Sequence, residues 1–170
     1  MEISKVLISQ EEIENKVSEL ANEINSKYKG KELVVIGILK GAFIVVSDLA
    51  KQLNLDVTFD FMSIKSYYGS ESTGQVKIVK DLEYDITDKN VLIVEDIYDT
   101  GLTLSNLKKL LESRNPKSIE VFSMFVKKEV AQDPIEINYS GFEIGPEFVV
   151  GYGLDYNGKY RELPYLGVLS

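Results

Sequence analysis

The sequence predicts an α/β fold, a mostly parallel twisted sheet flanked by helices. Continuous branched apolar runs occur at Glu32 to Leu39, at Val91 to Val94 and at Ser118 to Val126. Runs of this kind suit strands buried on both faces, as in a parallel sheet. The first two of them lead through a short turn into a helical pattern, so strands and helices alternate through the middle of the chain. The polar residues that could carry chemistry cluster directly after these runs, at the strand ends where such a sheet holds its ligands.

The elements follow in order. Ser9 and Glu12 form a capping box, and Ile13, Val17, Leu20 and Ile24 repeat at helical spacing until Gly30 stops the helix. Glu32 to Leu39 is the first core strand; it ends in Lys40-Gly41, and Ala42 opens a helical pattern through Phe43, Val46, Leu49 and Leu53. Leu55 to Ile64 alternates, with Val57, Phe59 and Phe61 on one side, and reads as a second strand. Lys65 to Gln75 is polar and without period, and a strand resumes from Val76 to Leu82. A hairpin loop of that length in a compact domain suits a lid. Val91 to Val94 is the central strand; two acids follow it, and Leu104, Leu107, Leu110 and Leu111 mark a helix. Ser118 to Val126 ends in Lys127-Lys128, and Glu147 to Tyr156 reads as a strand and turn after Gly145-Pro146. No repeat, low-complexity segment or linker divides the 170 residues, so a single domain, 1–170, is expected.

Composition narrows the chemistry. The formal net charge is −8, which argues against nucleic acid as a partner. There is no cysteine and no histidine, so thiolate chemistry, disulfides and histidine bases are excluded. Acid–base work falls to carboxylates, lysine or tyrosine. No signal-peptide pattern opens the sequence, and no apolar run approaches the ~20 residues of a membrane span. A cytoplasmic protein without a membrane partner is expected.

The stretch with most chemical content is Val91 to Thr103, V-L-I-V-E-D-I-Y-D-T-G-L-T. A turn opening into a helix presents unpaired N–H groups and the positive end of the helix dipole. Gly101 allows close backbone approach, and Thr100 and Thr103 add hydroxyls, a combination suited to a phosphate monoester. It is not a Walker loop. Glu95 and Asp96 suit sugar hydroxyls, or a Mg²⁺ that those hydroxyls also ligate. Phosphate on one side and a diol on the other describe a ribose 5-phosphate. A buried strand with a solvated acidic loop and a threonine N-cap is the plain alternative for any single residue here.

This string resembles the phosphoribosyl-pyrophosphate (PRPP) motif of the type I phosphoribosyltransferases. Orotate, adenine and 6-oxopurine transferases share it, as do some PRPP-binding regulators. Four further stretches carry the resemblance on, toward the 6-oxopurine branch. L-K-G at Leu39 to Gly41 is similar to the family's pyrophosphate loop, in which the peptide before the lysine can be cis. Ser66-Tyr67 with the following S-T-G resembles the family's mobile loop. V-K-K, ending at Lys128, is similar to a V-K-[RK] element, and F-V-V-G-Y-x-L-D-Y from Phe148 resembles the base-binding hood of hypoxanthine-guanine transferases.

The resemblance implies that Lys127 meets the exocyclic oxygen of the purine, Phe148 stacks on the base and the Val149 backbone reads its edge. It implies that Asp155 belongs to the base site and holds a second Mg²⁺, beside Glu95 and Asp96, and that Arg161 clamps pyrophosphate. Asp99 falls beside purine N7 as the proton-handling group. Lys40, Gly41, Ser66, Tyr67 and the turn Thr100-Gly101-Leu102-Thr103 contact PRPP. Leu102 stands where some relatives carry a cation, which implies altered affinity. The implied fold carries a small hood built from both chain ends, and the implied assembly is a homodimer or homotetramer. The implied reaction is transfer of 5-phosphoribosyl from PRPP to N9 of hypoxanthine or guanine, releasing pyrophosphate. A PRPP-sensing regulator, a transferase preferring xanthine or adenine, and a non-catalytic domain are the alternatives.

Overall fold

The computed structural model describes residues 1–66, 76–127 and 134–170. The core is a six-stranded sheet made of β2 (Glu32–Leu39), β3 (Asp56–Ser66), β4 (Val76–Lys80), β5 (Asn90–Tyr98), β6 (Ser118–Val126) and β7 (Tyr139–Glu143), in the order β4-β3-β2-β5-β6-β7. Every neighbouring pair is parallel except β3 and β4, which form an antiparallel hairpin at one edge.

Val91 to Val94 show why the apolar runs are continuous. All four are fully buried, with Leu92 and Val94 packing into one core layer and Val91 and Ile93 into the other. The first layer packs against α1 (Gln10–Lys27) and α2 (Phe43–Ala50), and the second against α3 (Leu102–Glu112). The capping box at α1 is present: Ser9 Oγ accepts from the Glu12 N–H, and the Glu12 carboxylate accepts from the Ser9 N–H. The helix ends at Lys27, before Gly30, which takes φ +76° in the turn beyond.

Three features depart from or refine the sequence expectations. First, β5 does not stop at Val94. Its pairing with β2 ends there, but its ladder with β6 runs on through Glu95, Ile97 and Tyr98, so the acids are strand residues. Second, Glu147 to Tyr156 resolves into the expected strand and turn, with the strand very short. Only β8 (Val149–Val150) is regular, and tight turns follow it at Gly151 to Leu154 and Tyr156 to Lys159. Third, β7 was unforeseen because Y-S-G-F-E is short, interrupted by glycine and half exposed.

The hood is a second, three-stranded sheet. β1 (Ile3–Ile8), β9 (Leu166–Leu169) and β8 pair antiparallel in the order β1-β9-β8, and Glu2 and Ser170 exchange backbone hydrogen bonds of 2.9 and 3.0 Å. Both chain ends thus build it. No helix among the described residues is long and apolar enough to cross a membrane.

Candidate active site

Two cavities open at the carboxyl ends of the parallel strands. The first, about 270 Å³, is lined by Glu95, Asp99, Thr100, Gly101 and Thr103, with Ile38, Ile64, Ile97, Tyr98 and Leu104 as apolar wall. The second, about 220 Å³, is lined by Gly41, Asp96, Asp99, Lys127, Phe148, Val149, Asp155 and Arg161, with Ile97 and Leu154. Ile97 and Asp99 border both. A larger cavity of about 500 Å³ lies between α1, α2 and residues 162–164 and is lined by none of the candidate site residues.

The first chamber is built by the β5–α3 turn. Gly101 is the N-cap of α3 with φ +80°, a left-handed conformation that glycine adopts without strain, and no side chain caps the helix. The threonine cap that the sequence allowed is therefore not formed. Thr100 Oγ1 instead accepts from the Leu102 N–H at 3.4 Å, and Leu102 is the first residue of the helix. A helix start without a side-chain cap suits an external anion.

The second chamber gathers residues from distant parts of the chain. Lys127 is set by its backbone N–H, which donates to Tyr98 O at 2.8 Å, and its Nζ donates to Glu147 O at 3.2 Å. Phe148 is 49% exposed and stands edge-on to Tyr156, with ring centroids 5.7 Å apart. About half of Phe148 is therefore open to a flat ligand. Val149 is held by β9 through its pairing with Val168. Arg161 Nη1 donates to Gly153 O at 2.6 Å, and Nη2 lies 3.4 Å from Asp155 Oδ1, while Asp155 Oδ2 accepts from the Gly158 N–H at 2.8 Å.

Strand alternation sends the two acids of the pair to different chambers, Glu95 to the first and Asp96 to the second. Burial, and then the neighbouring Asp96 carboxylate, push the Glu95 carboxyl well above the usual carboxylate range. Asp96 is also raised by burial, against the pull of the Ile97 N–H that donates to it at 2.8 Å and the charge of Arg161. A bound cation would favour the ionised form of both. Among the described residues no three acidic side chains gather as a protein-only metal cage. The donor set fits a hard divalent cation that takes its remaining oxygens from substrate and water.

Lys40 is exposed at the end of β2, joined to Leu39 by a cis peptide bond, and Gly41 follows against Asp96. Ser66 is the last residue of β3, paired with Val76; Tyr67 and the rest of the expected lid lie outside the described residues. Ile97, Tyr98, Glu147 and Leu154 also border the site or orient its residues, beyond the roles predicted above. Ile97 and Tyr98 sit inside the quoted motif, so their position was legible. The Glu147 carbonyl carries no side-chain signal and could not be found from sequence.

Residues 8–157 match the family profile described as a phosphoribosyl transferase domain. The chain is 46% identical over 170 residues to the hypoxanthine-guanine phosphoribosyltransferase of Staphylococcus aureus, covering 99% of this chain and 95% of that one. It is 46% identical over 166 residues to the hypoxanthine phosphoribosyltransferase of Buchnera aphidicola, covering 96% and 94%. The crystal structure of a Bacillus anthracis hypoxanthine-guanine phosphoribosyltransferase superposes with a TM-score of 0.95 at 44% identity, covering 99% of this chain and all of that one.

Proposed function

The chain belongs to the phosphoribosyl transferase family, and from that premise we infer that it is a purine-salvage enzyme, a hypoxanthine-guanine phosphoribosyltransferase. It moves 5-phosphoribosyl from PRPP to N9 of hypoxanthine or guanine and releases pyrophosphate. The bond from ribose C1 to the pyrophosphate oxygen breaks, the bond from C1 to purine N9 forms, and the products are IMP or GMP. The observation that carries this reading is the meeting of the two chambers at Asp99. One side suits a sugar phosphate and the other a flat base, so the reacting carbon and nitrogen lie between them.

The roles of individual residues are part of the proposal. The turn Thr100-Gly101-Leu102-Thr103 holds the 5-phosphate with backbone and hydroxyl donors. Lys127 donates to the 6-oxo group, Phe148 stacks on the base and the Val149 backbone reads its edge. Asp99 hydrogen-bonds at N7 and takes up proton density as N9 becomes nucleophilic. Lys40, Gly41 and Arg161 face the pyrophosphate side, and Ser66 and Tyr67 belong to the segment that excludes water over the reacting atoms. Glu95 and Asp96, with substrate oxygens, would hold one Mg²⁺, and Asp155, with substrate oxygens and water, a second. When bound, Mg²⁺ supplies positive charge that neutralises the departing pyrophosphate. Catalysis by the chain itself is positioning and electrostatics.

The same reading takes residues 1–170 as a single domain, places the enzyme in the cytoplasm, and assigns it a homodimer or homotetramer. The test is product identification. Hypoxanthine with PRPP and Mg²⁺ is expected to give IMP and pyrophosphate in equal amounts. Binding of PRPP with no nucleotide formed would favour a PRPP-sensing regulator instead.

A further inference from the structure

Two glycines bring the base side of the site onto the pyrophosphate side. A Cβ at Gly41 would lie 1.9 Å from Asp96 Oδ2, and a Cβ at Gly153 would lie 2.1 Å from Gly41 O. The turn after β2 is thus packed directly against the Asp96 side chain of β5 on one side and, backbone to backbone, against the segment carrying Phe148 and Asp155 on the other. Such a stack transmits small displacements but has nothing to key it sideways.

The lateral hold comes from the residue beside Gly153. Tyr152 is 3% exposed, with φ +49°, and its OH donates to Asp48 Oδ2 at 2.7 Å. Its ring meets Phe125 of β6 edge-on at 6.2 Å. Its backbone N–H donates to Leu163 O at 2.8 Å. Asp48 lies on α2, the helix that the Lys40-Gly41 turn leads into. The bond therefore ties the base-binding segment to the element that positions the pyrophosphate turn. Neither side chain reaches the two substrate chambers; both line the 500 Å³ cavity behind them.

We propose that Asp48 and Tyr152 are positioning residues whose hydrogen bond fixes the base-binding segment against the Gly41 turn, so that PRPP and purine bind cooperatively. This rests on the function inferred above. A base ordering residues 148–155 would order Gly153, and through it Gly41, before PRPP pays for the same ordering. By reciprocity PRPP favours the base to the same extent.

The experiment measures the PRPP dissociation constant alone and with saturating 9-deazahypoxanthine, a purine analogue with carbon at the reacting position, so that no transfer occurs. Parent protein is expected to bind PRPP about 5–150-fold more tightly when the analogue is present, the usual span of such coupling. Tyr152→Phe and Asp48→Ala are expected to bring that factor to within about threefold of unity on the same scale, while binary PRPP affinity changes little. Asp48→Asn keeps an oxygen acceptor for the tyrosine and is expected to keep most of the coupling. A merely structural role would lower Tm and leave the factor unchanged. Coupling of parental size in Tyr152→Phe, or an Asp48→Asn as uncoupled as Asp48→Ala, would overturn the proposal. A parent that binds both ligands without coupling would overturn it while leaving the transferase reading intact. A parent that binds no PRPP would overturn both.

Discussion

Asp99 and Lys127 stand at the end of neighbouring strands, joined through the Lys127 N–H and Tyr98 O. Asp99 is exposed and borders both chambers, so it can follow charge developing between base and ribose. Asp99→Asn is expected to lower kcat by about 10²–10⁴-fold, the usual worth of a positioned base. PRPP affinity should change much less, because the amide keeps the shape of the turn. A role confined to ordering the loop would instead lower Tm or PRPP binding and leave kcat within about threefold. Lys127 sets base choice, since an ammonium donates and cannot accept. Lys127→Ala is expected to raise KM for hypoxanthine with little change in KM for PRPP. Equal effects on both substrates would remove it from the base site. The side-chain roles were legible because carboxylates, hydroxyls and lysines announce their chemistry. The Glu147 carbonyl that orients Lys127 Nζ was not, since any residue supplies a carbonyl.

Helix α1 is anchored far from the site by a polar network that its amphipathic pattern does not reveal. Glu120 on β6 is 7% exposed and accepts from Lys27, from Tyr28 at the end of α1, and from Tyr139 OH of β7 at 2.9 Å. Burial alone would raise the Glu120 carboxyl, but these donors outweigh it and hold it below its ordinary value of 4.5. A carboxylate depressed in this way stabilises the fold above its unfolded pKa, and that contribution is lost as pH falls through the depressed value. Glu120→Gln is therefore expected to lower stability at pH 7, by roughly 1–3 kcal/mol where a buried donor is left unpaired. The difference from parent should shrink as the pH is taken below 4.5. Urea unfolding at several pH values checks it; a difference independent of pH would contradict the linkage. Element boundaries show the same limit of local reading. β5 runs past Val94 because β6 continues to pair with it, and neither strand's own sequence carries that information.

For the molecule as a whole, the parallel core was legible and the hood was not, for one physical reason. Core strands buried on both faces write themselves as continuous apolar runs, as at Val91 to Val94. The hood joins six residues at one end of the chain to four at the other, so its strands are short and their pairing spans nearly the full length. Its existence came from family resemblance, and its consequence is that both chain ends support Val149 through β9. The substrate chambers likewise depend on residues far apart in sequence, Gly41, Asp99, Lys127 and Arg161 among them. The most direct test of this assembly is an initial-rate panel of hypoxanthine, guanine, xanthine and adenine with PRPP and Mg²⁺. Hypoxanthine and guanine are expected to turn over, and adenine to be poorer by ~10⁴-fold or more, because its 6-amino group leaves the Lys127 donor unpaired. Efficient adenine turnover, or no turnover of any 6-oxopurine, would contradict the account.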